Sequence, residues 1–330
     1  MSTPHSEHYY VLHAFPDADA IGSTWLATRE LFPRLFPGKD LKPYFMRASS
    51  IDPDIITGAT AVFDVGGEYD PSRLRFDHHQ LADPRSICAT RMVWEYLTKG
   101  DEHHVALCPE LTYLHPVIDL IEAGDTDRIY EPSYRISLTA GLHALLAGFE
   151  RSQVEHLGAS QALSAADESA LLEMRDKAIL EYGWQLLDTM ALNLRYQYKV
   201  AALLPERVVY KSKDGLVWGL DNAPPGSAVA AYNKGARLII ASHKSTLPAS
   251  NAIEIFCTSQ TPNLDLRDLV RRAEQDSQQR GDTAMYEELR HLYREKSYAG
   301  RGRATRAPDP TPLTIDVADL TSLMDRLWKR

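Results

Sequence analysis

The chain has 330 residues, 44% hydrophobic and 25% charged, which is the composition of a globular protein with room for two domains. Its net charge of −9 excludes a protein whose whole surface grips nucleic acid, while leaving room for a local basic groove. Its three cysteines, Cys88, Cys108 and Cys257, are scattered and form no CxxC, which excludes both a disulfide framework and a thiolate zinc site.

Met1 to His8 carry neither a basic nor an apolar leader pattern, and no apolar run nears the ~20 residues of a membrane span. A cytoplasmic protein without a membrane partner is expected. In chain order, Tyr9-Tyr10-Val11-Leu12 reads as a short buried strand. It ends at His13 and the turn Pro16-Asp17-Ala18-Asp19. A helix is expected from Ala20 to about Phe36, stopped by Pro37-Gly38. Pro43–Met46 and Ala59–Phe63 read as further strands, the latter ending at Asp64. Apolar strands alternating with helices predict a parallel sheet covered on both faces.

The turn at Tyr69-Asp70-Pro71-Ser72 leads into Arg75-Phe76-Asp77-His78-His79-Gln80. Helices are expected over Cys88–Leu97, Glu110–Ala123 and Leu138–Phe149. The second of them runs into Gly124-Asp125-Thr126-Asp127. Carboxylates at a helix C-terminus oppose the helix dipole, so a positive group is expected opposite them.

A long helix from Ser164 to about Asn193 reads as a connector. Its length is also compatible with a homodimer. Beyond it, Tyr196–Leu203, Arg207–Tyr210, Leu216–Leu220, Arg237–Ala241 and Ala252–Phe256 read as strands. Ala228–Lys234, Leu264 to about Tyr293 with a break near Gly281, and Asp316–Trp328 read as helices.

His13, Asp17, Asp19, Asp64, His78, His79 and Asp125 stand out as one set. Mixed imidazole and carboxylate ligation without thiolate suits Mn²⁺, and also Mg²⁺, Co²⁺ or iron. Asp64, at a strand end, can bridge two ions with its two oxygens. Two ions roughly 3.5–4 Å apart would clamp a phosphoryl group for in-line attack. Asp127 is the alternative to Asp125 as the last ligand.

These motifs resemble the DHH phosphoesterase superfamily. The order is His13-x3-Asp17-x-Asp19, Asp64, Asp77-His78-His79 and an acidic Asp125. Asp64-Val65-Gly66-Gly67 through Gln80 is similar to the MYG-type exonuclease branch, and Pro16 to Ser23 to the oligoribonuclease and RecJ-like branches. The match covers roughly the first 130 residues.

The resemblance implies that His13 and Asp17 hold one metal and Asp19 the other. Asp64 bridges, and His78 and Asp125 complete the second site. It implies that His79 stabilises charge on the substrate phosphate while Asp77 orients the histidine pair. It also implies a two-domain α/β protein. A parallel-sheet catalytic domain over residues 1–155 would join, through a helical connector at 156–195, a smaller α/β substrate-binding (DHHA1-like) domain at 196–330.

That second domain usually ends in a glycine-rich turn followed by histidine. The counterpart in this chain is Gly300-Arg301-Gly302-Arg303, with arginine in the histidine's place. Arg290, Arg294, Lys296, Arg301, Arg303 and Arg306 face a single acid, Glu295, in this stretch. Arginines beside glycines suit bidentate contact to phosphate.

The expected activity is a manganese-dependent phosphodiesterase or exonuclease acting on short oligonucleotides or single-strand ends in an interdomain cleft. A pyrophosphatase or polyphosphatase, a cyclic dinucleotide phosphodiesterase and a non-catalytic nucleotide-sensing module are the rival readings.

Overall fold

A computed structural model describes residues 8–47, 50–100, 105–126, 142, 145–146, 148–153, 165–244, 251–257, 264–294, 298–301 and 315–328. The chain forms two compact units, Met1–Arg195 and Tyr196–Arg330.

In the first unit five strands form one sheet. They are β1 (Tyr9–His13), β2 (Lys42–Met46), β3 (Ala61–Phe63), β4 (Tyr69–Asp70) and β5 (Arg75–Phe76), in the order β2-β1-β3-β5-β4. β1 runs parallel to β2 and β3, and β3 parallel to β5, while β4 closes the edge antiparallel to β5. The expected parallel sheet is therefore present, with one antiparallel edge strand.

Both faces of this sheet are buried. Tyr10, Leu12, Ala61, Phe63 and Phe76 face the larger core, which takes in α1 (Ala18–Leu26), α4 (Ala89–Thr98) and α5 (His115–Asp125). Tyr9, Val11 and Val62 face a smaller core with Ile55 of α3 (Pro53–Gly58). The alternation follows from the two-residue side-chain period of a strand.

Asp17 caps α1, its Oδ1 accepting the N–H groups of Asp19 and Ala20 at 2.9 and 3.1 Å. The helix then widens into a π-turn at Ala27–Leu31 before α2 (Phe32–Leu35). Pro33 explains the widening. It lacks an N–H, and its ring would clash with the carbonyl four residues back. Gly22 lets α1 approach α4 and α5, since a Cβ there would sit 2.5 Å from Thr90 Oγ1 and 2.7 Å from Ile121 Cδ1.

The helix expected to end near Asn193 instead runs as α6 from Ala165 to Arg207. Tyr196–Leu203, expected as a strand, is helical. Val200 and Leu204 are the buried positions there, and their i, i+4 spacing is a helix period. Extending an existing helix costs no new nucleus, which favours continuation. The helix expected over Leu138–Phe149 lies mostly outside the described residues, as does the Ser164 cap.

The second unit carries a mixed six-stranded sheet, ordered β10-β11-β9-β8-β7-β6. Its strands are β6 (Val208–Lys211), β7 (Val217–Leu220), β8 (Leu238–Lys244), β9 (Asn251–Cys257), β10 (Tyr293–Arg294) and β11 (Tyr298–Arg301). Val217, Leu238, Ile240, Ile253 and Ile255 pack with α8 (Leu266–Gln279), α9 (Thr283–Arg290) and α10 (Val317–Trp328). Trp218, Leu220, Ile239 and Ala241 pack on the other face with α7 (Ser227–Asn233) and the end of α6. Gly281, at φ +73, separates α8 from α9, and Asp316 caps α10 through Ala318 N–H at 2.6 Å.

Candidate metal centre

Three neighbouring strands of the first sheet end at the same edge, and each delivers a ligand-bearing side chain. β1 ends at His13, β3 leads into Asp64, and β5 leads into Asp77-His78-His79. In an open α/β sheet, this carboxyl edge is where ligands bind.

The pairing of β3 with β5 continues to the site, because Asp64 N–H donates to Phe76 O at 2.9 Å. Asp64 then leaves the strand with φ +54, a left-handed conformation that aspartate tolerates better than most residues. Gly66 and Gly67, at φ +101 and +69, complete the turn.

The two oxygens of Asp64 face different partners. Oδ2 lies 3.2 Å from His13 Nε2, and His13 Nε2 lies 3.6 Å from Asp17 Oδ1. Oδ1 lies 3.5 Å from His78 Nε2, which in turn is 3.5 Å from Asp125 Oδ2 and 3.8 Å from Asp19 Oδ2. His13/Asp17/Asp64, Asp19/His78/Asp125 and Asp64/His78/His79 each bring three ligand atoms within 4.8 Å of one another. The arrangement has the form of a shared-carboxylate cluster that could hold two divalent ions.

The backbone fixes which nitrogen each histidine presents. His13 Nδ1 lies 2.9 Å from the Ala14 carbonyl and His78 Nδ1 lies 2.7 Å from the Pro84 carbonyl. A carbonyl only accepts, so both Nδ1 atoms carry hydrogens. Both Nε2 lone pairs are then left for the cluster, the arrangement that orients metal-binding histidines.

The donor set also fits a metal on a second count. Asp64 Oδ1, His78 Nε2 and Asp125 Oδ2 are buried and have no hydrogen-bond partner. Buried polar atoms are rarely left so, and three of them converging on one point need a cation or protons between them.

The protonation pattern of the metal-free cluster says the same. Burial would lower the pKa of His13, but hydrogen bonding to Asp17 and Asp64 raises it to about 11. Burial is likewise overcome at His78, which Asp64, the Pro84 carbonyl and Asp125 raise to about 10. Asp125 is raised to about 7 by burial and by Asp64. Asp19, wholly buried and facing Asp64 and Asp125, is held well above the usual carboxylate range.

Asp77 ties the loops together. Its Oδ1 accepts His79 N–H at 3.0 Å and His79 Nδ1–H at 2.7 Å, and its Oδ2 accepts Gly67 N–H at 2.6 Å. Those backbone donors and His79 overcome burial and hold the Asp77 carboxyl below its usual range. His79 therefore turns Nε2 away from Asp77. A cavity of about 590 Å³ opens over the cluster, with His79, Gln80, Ile51 and Val65 among its lining residues.

Several contributors carry no signal of their own in the sequence. Both oxygens of Asp19 accept the first N–H groups of α4, Oδ2 from Ala89 at 2.8 Å and Oδ1 from Thr90 at 2.7 Å. Arg91 of α4 pairs with Glu122 of α5, one turn before Asp125, at 3.1 Å, and also with Asp119. Glu122 is readable only in retrospect, three residues before Asp125 on one helix.

Asp125 is the last residue of α5, and His78 Nε2 lies opposite its carboxylate at 3.5 Å. Asp127 lies outside the described residues. Gly300 and Arg301 lie on β11 of the second unit, with Gly300 opposite Glu254 of β9 and Arg301 opposite Ile253. Gly302 and Arg303 lie outside the described residues.

An open α/β sheet with a histidine–carboxylate cluster at its carboxyl edge is thus the class that fold and site define. Residues 46–87 match the model of the family MYG1_exonuc, described as Uncharacterised protein family (UPF0160). That stretch runs from the end of β2 past His79 and includes Asp64, Asp77 and His78. No curated protein sequence matches the chain.

Among solved structures, the chain aligns with the pGpG-specific phosphodiesterase PggH from Vibrio cholrae at 15% identity, over 98% of this chain and 99% of that one. The TM-score is 0.28, too low for the two folds to be equated. Among the described residues, no helix is long and apolar enough to cross a membrane.

Proposed function

We propose that the protein is a metal-dependent phosphodiesterase that hydrolyses short oligonucleotides at the first unit's cluster, with Mn²⁺ as the preferred ion. The observation that carries this reading is the convergence of three buried, unpartnered atoms, Asp64 Oδ1, His78 Nε2 and Asp125 Oδ2.

His13, Asp17 and Asp64 would hold one ion, and Asp19, Asp64, His78 and Asp125 the other. When bound, the pair of ions supplies Lewis acidity to the phosphoryl oxygens and to the attacking water.

The chain's own groups do the rest. Asp77 fixes the His79 ring through Nδ1–H, so Nε2 is free to carry a proton toward a phosphoryl oxygen that gains charge. Gly66 and Gly67 place bare backbone along the cavity, and Ile51 and Val65 give it an apolar side suited to a sugar or base. A volume of about 590 Å³ falls within the ~300–1,000 Å³ of small-ligand sites. In the second unit, Arg301 and Arg303 are proposed as phosphate-contacting residues.

A net charge of −9 favours few phosphate contacts over a long duplex, since a long nucleic acid needs a broad basic face. The test is hydrolysis of a labelled RNA dinucleotide, a longer RNA, single-stranded DNA, a cyclic dinucleotide and pyrophosphate, with Mn²⁺ or with EDTA. Mononucleotide release that needs Mn²⁺ and is lost in Asp64→Asn supports the reading. Turnover of pyrophosphate alone moves the activity to phosphoanhydrides. Turnover of nothing, with Mn²⁺ bound, leaves a nucleotide-sensing module.

A further inference from the structure

Phe15 stands between His13 and Asp17 in a conformation its own chemistry disfavours. Its φ is +58, in the left-handed region that suits glycine, asparagine or aspartate. It also precedes Pro16, and the residue before a proline is pushed toward extended conformations. Burial does not explain the arrangement, because Phe15 is 44% exposed. Something else must hold the turn.

The guanidinium of Arg175 lies over the Phe15 ring, with Cζ 3.5 Å from the ring centroid. At that distance the guanidinium carbon is in van der Waals contact with the ring face, a close cation–π pair. Arg175 sits on α6 and is only 5% exposed. Its Nε and Nη2 donate to Oδ1 of the equally buried Asp176 at 2.9 and 2.5 Å. Successive helix residues do not face each other, so the guanidinium has to fold back to make this pair. It is thus held by Asp176 while its Cζ sits over the Phe15 ring.

The consequence falls on the cluster. His13 Nε2 and Asp17 Oδ1 come within 3.6 Å across the intervening Ala14-Phe15-Pro16. Opening the turn at Phe15 would separate them.

We infer that Arg175 is a positioning residue for the metal-binding turn, packing on Phe15 to hold the left-handed kink that brings His13 and Asp17 together. This rests on the metal-dependent reading above. Arg175 touches neither ion nor substrate, so its effect is on ion affinity at the His13/Asp17 position. It also becomes dispensable once residue 15 favours the kink by itself.

The test is Mn²⁺ binding by isothermal titration calorimetry on four full-length proteins: wild type, R175M, F15N and F15N/R175M. Thermal melts are run alongside. The expected result is about tenfold weaker Mn²⁺ binding in R175M, in line with the ~10–100-fold cost of losing an orienting group. F15N serves as the reference background, in which R175M should weaken Mn²⁺ binding by less than about twofold. R175K keeps the charge beside Asp176 and loses the guanidinium over the ring, and should behave as R175M does. It serves as the second variant if R175M does not fold.

Equal loss of affinity in both backgrounds, or a lower melting temperature with unchanged Mn²⁺ binding, makes Arg175 a structural residue and overturns the inference. A wild-type protein that binds no Mn²⁺ overturns the metal reading, and this inference with it.

Discussion

A single oxygen of Asp77 holds His79 twice, accepting its backbone N–H at 3.0 Å and its ring Nδ1–H at 2.7 Å. The ring is 62% exposed, so without this contact it would sample several rotamers in water. Asp77→Asn is expected to lower kcat by about 10–100-fold, as losses of orienting partners do. The same change weakens Mn²⁺ binding less, because Asp64 and His78 remain in place. His79→Asn with Asp77 intact should lower kcat at least as much. A D77N enzyme with wild-type kcat would remove Asp77 from this role.

The metal-free protein should lose stability as pH rises. His13 and His78, raised to about 11 and about 10, stabilise the fold fully below their unfolded value near ~6.5. That contribution is lost as pH climbs through the folded values. Asp125, raised to about 7, keeps its proton in the fold after the unfolded chain has lost it near ~3.9. Stability therefore also falls between about pH 4 and pH 7. Melts of EDTA-treated protein from pH 4 to 10 measure the combined slope, and Asp125→Asn should flatten its acid half. A melting temperature that rises over this range in wild type would falsify the assignment.

Metal binding should reverse that trend, since ions replace the protons. At pH 7.5, Mn²⁺ uptake is expected to release on the order of two protons. Calorimetry in buffers of different ionisation enthalpy reads this number directly. Binding without proton release would mean that the ions sit elsewhere.

Gly22→Ala should be destabilising even though alanine favours helix. The added Cβ meets Thr90 Oγ1 at 2.5 Å, and that hydroxyl is buried and donates to Asp19 O at 2.9 Å, so it has little room to give. Overpacking of this kind costs ~1–3 kcal/mol, against a helix gain of at most ~1 kcal/mol. A net loss of about 1–2 kcal/mol in a chemical-denaturation midpoint is expected. Mn²⁺ affinity should fall with it, because α4 and α5 carry the donors to Asp19 and the side chain of Asp125.

Arg91→Met should weaken the packing of α4 on α5. Arg91 is buried, and its partners Glu122 and Asp119 lie on α5 between its start and Asp125, Glu122 one turn before it. Removing the cation breaks the buried Arg91–Glu122 pair, a loss of ~3–5 kcal/mol. A melting temperature within a degree of wild type would show that the pair contributes little.

The cluster was legible because its residues are chemically rare and lie next to chain features that a sequence shows. His13 and Asp64 each follow a short apolar run, His78 stands in the rare Asp77-His78-His79 triplet, and Asp17 and Asp19 flank a helix start. β1, β2 and β3 followed from such runs, whereas β4 and β5, only two residues each, were not read as strands. What stayed hidden depends on distant partners. Nothing near Pro84 marks its carbonyl as the group that orients His78. Nothing near residue 175 marks a contact with residue 15. Tyr196–Leu203 was misread because its aromatic and β-branched residues favour a strand in isolation. The preceding helix and the burial of Val200 and Leu204 decide otherwise.

The strand order β2-β1-β3-β5 has one more consequence. His13, Asp64 and the Asp77–His79 run leave adjacent strands, and adjacent strands lie ~4.8 Å apart. The backbone ladder therefore acts as a ruler: it sets the gap between the two coordinating groups before any side chain packs. Asp125 is mounted differently, at the end of α5, outside the ladder. One side of the cluster is thus set by strand spacing and the other by helix packing. Tolerance for ions of different radius would reside in the packing of α5 and not in the strands.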